Sequence, residues 1–508
     1  MKLLVKNIGT LVGIDDTRLC RRGTEMAEIS CLSDAWLLVE DGRFKAFGGK
    51  SSRREESFSR FEVRDTRCED RFEVGKNEQE KLPFSRFEVR GSRYEDRFEV
   101  GKNEPEKLPF SRFEVRDTRY EDRFDVGKNE PEKLPSHLVS RTSYPESLPT
   151  ADAVVDAEGG MVLPSFCDSH THLVYAGSRE GEFVDKIRGL SYAEIARRGG
   201  GILHSADRLH AASEEMLYEE AMVRIREIIR KGTGAVEIKS GYGLTVEDEL
   251  KMLRVIRRIR ETTPLRVVST FLGAHAVGRA FTGRQKEYVD LVVNEMIPEV
   301  GRQQLADYVD VFCDEGFFTP DETARILEAA AKYGLRGKIH GQELADSGGV
   351  EVAVAHGACS VDHLESMTDR DIELLRDSET IPTALPGTSF FLNMSFAPGR
   401  KMIDAGLPLA IASDYNPGST PSGDMKFVVS LACIKMRLLP AEAFHAATLN
   451  SACAMGISRD YGSITVGKVA NFFITPPLPS LAFIPYAYTT PLVSRVFLRG
   501  REVEGAYL

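Results

Sequence analysis

Eight short apolar runs separated by amphipathic stretches predict an α/β fold, a TIM-type (β/α)8 barrel. Strand-and-turn patterns at both chain ends add a small β-sandwich domain, and a repetitive insertion interrupts it. The boundaries read as 1–50 for the first part of the β domain, 51–140 for the insertion and 141–160 for the continued β domain. The barrel takes 161–460, and 461–508 completes the β domain.

At the N-terminal end, residues 39–48 read as a strand, a turn at Asp41-Gly42 and a second strand. Three near-copies of a 26-residue unit follow, at 58–83, 84–109 and 110–135. Such a period raises a solenoid. Each copy is dominated by Arg, Lys, Glu and Asp, however, so stacked copies would bury little apolar surface. A flexible surface insertion is favoured over an interaction arm, because loops lengthen at small entropic cost. The strand pattern resumes at 154–159.

The barrel strands are then expected at 161–166, 235–239, 266–272, 308–313, 337–340, 359–363, 380–385 and 408–413. Helices are expected at 214–231, 246–261, 321–333 and 369–377. In the third of these, Ile326, Leu327 and Ala330 recur at helical spacing opposite Arg325, Glu328 and Lys332. An open doubly wound sheet is the competitor, but no Gly-x-Gly-x-x-Gly follows an early strand and no Walker-type loop is present. Residues 462–473 and 494–503, with turns at Gly467 and Gly500, return to the β domain.

A net charge of −11 argues against a nucleic-acid footprint. The N-terminal stretch carries Lys2 and Lys6 among short apolar runs, too broken for a secretory core, and no run is long enough to span a bilayer. Eight cysteines without a Cys-x-x-Cys pair suit reduced thiols and a cytoplasmic setting.

The chemistry concentrates at predicted strand ends, where a barrel places its active site. His170 and His172 follow the first strand at period two, so both imidazoles face one side and can share a metal ion. His275 follows the third strand, His340 closes the fifth, His363 the sixth and Asp414 the eighth. Neutral imidazoles plus a carboxylate around a divalent ion make water nucleophilic near neutral pH. A nearby carboxylate must then carry its proton, for which Glu343 and Asp414 are the candidates. The reaction class is metal-assisted hydrolysis at a planar, electrophilic carbon.

The motifs Asp168-Ser-His-Thr-His-Leu-Val with Ala176-Gly-Ser-Arg179, Glu237-Ile-Lys-Ser-Gly-Tyr-Gly243, Thr270-Phe-Leu-Gly-Ala-His-Ala276 and Ser413-Asp-Tyr-Asn-Pro-Gly-Ser419 resemble the amidohydrolase superfamily and, within it, the imidazolonepropionase family. The resemblance implies one metal ion, zinc or iron, divalent or trivalent, held by His170, His172, His340 and Asp414. It implies hydrolysis of 4-imidazolone-5-propanoate to N-formimidoyl-L-glutamate in histidine degradation, with another deaminase or cyclic amidase of the superfamily as the alternative. By the same likeness Arg179, Tyr242, His275, Glu343, Asn416, Gly418 and Ser419 contact the small-molecule substrate, His363 lies near the reacting water, and a homodimer is expected. Glu343, His363 and Asp414 are the expected catalytic groups. Arg179 suits a carboxylate through its planar fork, and His275 is placed to orient or polarise the ring carbonyl. Lys239, which bridges two metals as a carboxylated lysine in some superfamily relatives, is not expected to be a ligand.

A scaffold protein with a degenerate barrel is the contrasting class, and the full ligand set speaks against it. Deleting residues 58–135 is expected to leave both folding and hydrolysis in place, as circular dichroism and turnover would show; collapse of either would make the repeats essential.

Overall fold

The computed structural model describes residues 1–14, 16–51, 148–190, 194 and 200–504. The expected repeats at 58–135 lie outside the described residues. Two eight-stranded sheets organise the rest.

The first sheet is mixed and draws on both chain ends, as the sequence predicts for the β domain. Its N-terminal strands are β1 (Lys2–Val12), β2 (Cys31–Glu40), β3 (Arg43–Ser51), β4 (Ala153–Asp156) and β5 (Met161–Pro164). β1 pairs antiparallel with β2 and parallel with β4 and β5. The C-terminal strands β14 (Phe472–Ile474), β15 (Arg495–Leu498) and β16 (Arg501–Glu502) continue the sheet from β5. Phe472 stacks on Phe497 at 4.6 Å and lies 6.1 Å from Phe44, so an aromatic cluster locks the two chain ends together.

The second sheet is the barrel: β6 (Phe166–Asp168), β7 (Thr233–Lys239), β8 (Arg266–Ala274), β9 (Tyr308–Cys313), β10 (Arg336–Gly341), β11 (Ser360–His363), β12 (Ile381–Ala384) and β13 (Ala410–Ile411). All neighbours are parallel and in chain order. Every residue of β7 is buried, as expected of a strand covered on one side by helices and on the other by the barrel interior. The helix Glu214–Arg230 precedes β7, and Val246–Thr262 follows it. The latter buries Leu250, Leu253, Ile256 and Ile259 along one stripe, and the Thr245 side chain caps it by accepting from Asp248 N.

Three sequence expectations change. The run 161–166 is not one strand but two: β5 belongs to the mixed sheet and β6 to the barrel, with Ser165 between them. Ser165 N donates to Asn471 O, while Phe166 N already donates to Gly232 O ahead of β7, so the chain changes sheets within one peptide. The expected strand 408–413 pairs only at Ala410–Ile411. Of 462–473, the ladder keeps only the end in β14; Ile464 and Val469 make isolated bridges to Ile14 and Arg43, on either side of the turn at Gly467.

No helix among the described residues is long and apolar enough to cross a membrane. Phe472 is fully buried at the junction of the chain ends. Replacing it with Ala is expected to destabilise the fold by about 3–5 kcal/mol, through lost burial and the cavity left behind, measurable as a lowered urea midpoint.

Candidate metal centre

β6 ends at Asp168 and β13 at Ile411, and the barrel closes between the segments that follow them. Asp414 N donates to His170 O, and His172 N to Tyr415 O. The Asp168 carboxylate accepts from both the backbone N and the hydroxyl of Ser413. These bonds bring His170 and His172 beside Asp414, while β10 delivers His340 from across the barrel. The ligand atoms of His170, His172 and His340 all lie within 4.8 Å of one another, and all three residues are buried. Asp414 Oδ1 stands 3.6 Å from His170 Nε2 and 3.5 Å from His172 Nε2. Its other oxygen accepts from the hydroxyls of Thr388 at 2.6 Å and Ser419 at 2.9 Å, which turns Oδ1 toward the histidines.

The donor set fits a metal ion. His170 Nδ1 is 2.7 Å from Asp362 Oδ2 and His340 Nδ1 is 3.0 Å from Asp310 Oδ2. The first contact is a hydrogen bond to a group that only accepts, so His170 Nδ1 carries the proton and its Nε2 a lone pair; the second sets a carboxylate beside His340 without a hydrogen bond. Both Nε2 atoms are buried without a hydrogen-bond partner, an arrangement that is costly unless a cation takes the lone pairs. Burial, then Lys239 and the neighbouring imidazoles, holds His170 well below the ordinary histidine range. Burial, His275 and His340 do the same to His172. Neutral imidazoles are the form that ligates. The barrel thus presents a single buried tri-histidine centre among the described residues.

Below the histidines the barrel interior is ionic rather than aliphatic. Lys239 Nζ lies 2.7 Å from Asp310, 2.8 Å from Glu237 and 3.6 Å from Asp362; Lys338 Nζ lies 2.5 Å from Glu237 and donates to Ser169 O. All five side chains are fully buried. Burial opposes the charge on Lys239, but Asp310, Glu237 and Asp362 outweigh it and raise its pKa. An ammonium so engaged is a counter-ion, in keeping with its omission from the expected ligands. Asp310, Asp362, Glu237 and Lys338 escaped the sequence reading. Their signal was present as polar residues inside apolar strands: Glu237-x-Lys239, Lys338-x-His340 and Ser360-x-Asp362 at alternating positions, and Asp310 between Val309 and Val311.

Around the centre, His363 Nε2 sits 3.6 Å from Glu343 and its Nδ1 3.7 Å from Glu365. Burial raises the Glu343 pKa to about 7, with Glu365 adding to it and His363 opposing. Burial alone would lower His363, but Glu343 and Glu365 raise it to about 10. Glu365, held by the Ser389 hydroxyl, was also missed. On the other side, His275 stacks on His172 at 5.2 Å, and Tyr242 lies 5.4 Å from His275. His275 Nδ1 is 2.9 Å from Gly241 O, so that nitrogen is the donor and Nε2 the acceptor. Burial, with His340, lowers its pKa to about 3.

Arg179 is buried and donates from Nε and Nη2 to Glu182; a Cβ on Gly418 would lie 2.2 Å from its Nη1, so the guanidinium rests directly on that glycine. Asn416 accepts from Gly418 N and Ser419 N and donates to Asp414 O and Ser419 Oγ. Asn416, Gly418 and Ser419 therefore form one self-bonded loop that holds Asp414 at φ +56°.

Asp362→Asn removes the charged acceptor of His170 Nδ1 and is expected to weaken metal binding about 10–100-fold, as zinc competition with a chelator would show.

Residues 161–503 match the amidohydrolase family. The chain is 55% identical over 354 residues to an imidazolonepropionase of Christiangramia forsetii, covering 70% of this chain and 86% of that protein. It is 46% identical over 350 residues to one of Geobacillus kaustophilus, covering 69% and 82%. Among solved structures, Escherichia coli guanine deaminase superimposes with a TM-score of 0.61 at 13% identity, covering 99% of each chain. A triazine hydrolase variant gives 0.59 at 15% identity, covering 99% of this chain and 94% of that one. At such identities the structural likeness shows the fold alone. The chain belongs to the amidohydrolase family and is closely related to bacterial imidazolonepropionases.

Proposed function

We propose that this protein hydrolyses the cyclic amide C–N bond of 4-imidazolone-5-propanoate, giving N-formimidoyl-L-glutamate. The observation that carries the reading is the 55% identity to an imidazolonepropionase across 86% of its length. The grouping of His275 and Tyr242 beside a buried tri-histidine centre, with Arg179 against the loop that carries Asp414, supports it. His170, His172, His340 and Asp414 would hold one ion, zinc or iron. When bound, such an ion supplies Lewis acidity and makes water a nucleophile at neutral pH.

In this reading water adds to the ring carbonyl carbon, the ring C–N bond breaks, the leaving nitrogen gains a proton, and the carbonyl carbon ends as a carboxylate. Glu343 is the proton carrier: a carboxyl raised to about 7 both accepts and releases a proton near neutrality. His363, cationic 3.6 Å away, steadies the carboxylate form. Glu182 takes Nε and Nη2 of Arg179, so Nη1 is the donor offered to the propanoate carboxylate. His275 takes a role different from the one its sequence position suggests. Neutral and with Nδ1 committed to Gly241 O, it presents Nε2 as an acceptor, which matches a ring N–H rather than the carbonyl.

The test is loss of imidazolonepropionate absorbance with purified, metal-loaded protein; no turnover of it alongside turnover of an aminopurine or a pyrimidine would overturn the reading. Glu343→Gln is expected to lower kcat about 10²–10⁴-fold, the range of general acid–base catalysis, while metal analysis shows the ion retained.

A further inference from the structure

Glu249 lies in the first turn of the helix Val246–Thr262 and is fully buried. A carboxylate in that position needs donors. It takes them from the loop after β7: Gly241 N donates to Oε2 at 3.1 Å, and Gly243 N and Leu244 N donate to Oε1 at 2.7 and 2.9 Å. The Ser240 side chain also acts on this carboxyl, lowering its pKa against the effect of burial. The helix does not need Glu249 as its cap, because Thr245 already fills that role. The carboxylate instead reaches back to a loop whose conformation is costly, with Gly241 at φ +113° and Leu244 at φ +53°.

That loop carries the substrate side of the site. Gly241 O is the acceptor for His275 Nδ1, and a Cβ on Gly241 would stand 2.9 Å from the same nitrogen. Ser240 Oγ accepts from Leu272 N, tying the loop to β8 just ahead of His275. A path therefore runs from Glu249 to Gly241 N, across Gly241 Cα to Gly241 O in the next peptide, and on to the His275 ring.

We propose that Glu249 is a positioning residue: it fixes the Gly241 peptide and, through Gly241 O, the tautomer of His275, so that Nε2 meets the substrate as an acceptor. The catalytic part of this inference rests on the reading of His275 given above; the tautomer part does not.

Glu249→Gln is the informative variant. With its amide oxygen serving Gly243 and Leu244, its NH2 faces Gly241 N–H, donor against donor, and the disturbance falls on the residue whose carbonyl holds His275. The expected result is a drop in kcat/KM of about tenfold or more, with one metal per chain retained and no further drop when the change is made in a His275→Ala background. Additive losses in that cycle, or loss of the metal, would overturn the proposal. A readout without substrate is 15N spectroscopy of histidine-labelled protein: wild type shows His275 protonated at Nδ1, and Glu249→Gln shifts it toward Nε2. An unchanged tautomer overturns the proposal even if the wild type proves inactive on imidazolonepropionate, a result that by itself rejects only the substrate. If Glu249→Gln does not fold, Ser240→Ala, which removes one link and leaves the three N–H bonds, is expected to shift the same resonances partway; no shift counts against the proposal.

Discussion

The structure turns on the seam of the barrel. β13 supplies only two ladder residues and does not pair with β6, so the cylinder is closed by the segments beyond both strands. The closing bonds are Asp414 N to His170 O, His172 N to Tyr415 O, and the two Ser413 bonds to Asp168. Three candidate ligands are thus part of the contact that closes the fold. Backbone hydrogen bonds set their approach, and both His170 Nε2 and His172 Nε2 stand within 3.6 Å of Asp414 Oδ1. Asp168 contributes from a buried position whose desolvation lifts its pKa to about 7, against the pull of its Ser413 donors.

Closure alone would leave the imidazoles free to rotate, and the ionic interior removes that freedom. Burying five charged side chains contributes little to net stability, because desolvation offsets most of the attraction between them. What it does is hold two carboxylates at fixed points beneath two histidines. Asp310 and Asp362 each face one ligand Nδ1, and the single Lys239 ammonium lies against both. A conventional aliphatic filling would pack as well but would leave His170 and His340 without an orienting partner.

Much of this was readable along the chain, and the unread part has a physical pattern. The eight strands, the His170–His172 pair, His340 and Asp414 are legible because each follows from one-dimensional rules: strand periodicity, helix alternation, and chemistry at strand ends. The break at Ser165 is not, since 161–166 is uniformly apolar and only pairing decides that β5 belongs with β1 and β14. Nor is the partnership of Asp310 with His340, which depends on the register that sets Lys338 opposite Asp310. Asn416 and Ser419 carried a resemblance to substrate contacts. Their visible bonds are to the loop itself and to Asp414, because a residue held at φ +56° needs its neighbours to keep it there.

Two support systems can therefore be separated. The metal side depends on the seam and on carboxylates within strands β9 and β11. The substrate side depends on loops after β7 and after β13, held by Glu249 and Asn416 respectively. The two meet at the stack of His172 on His275 and at Asp414, which Asn416 and Ser419 bond directly. The loop after β13 is tied to the metal side through Asp414, whereas the loop after β7 is held by the Glu249 carboxylate, whose hydrogen bonds run to Gly241, Gly243 and Leu244. The candidate metal centre is therefore built into the closure of the fold, while the loop that holds His275 Nδ1 depends on one buried carboxylate set apart from that closure.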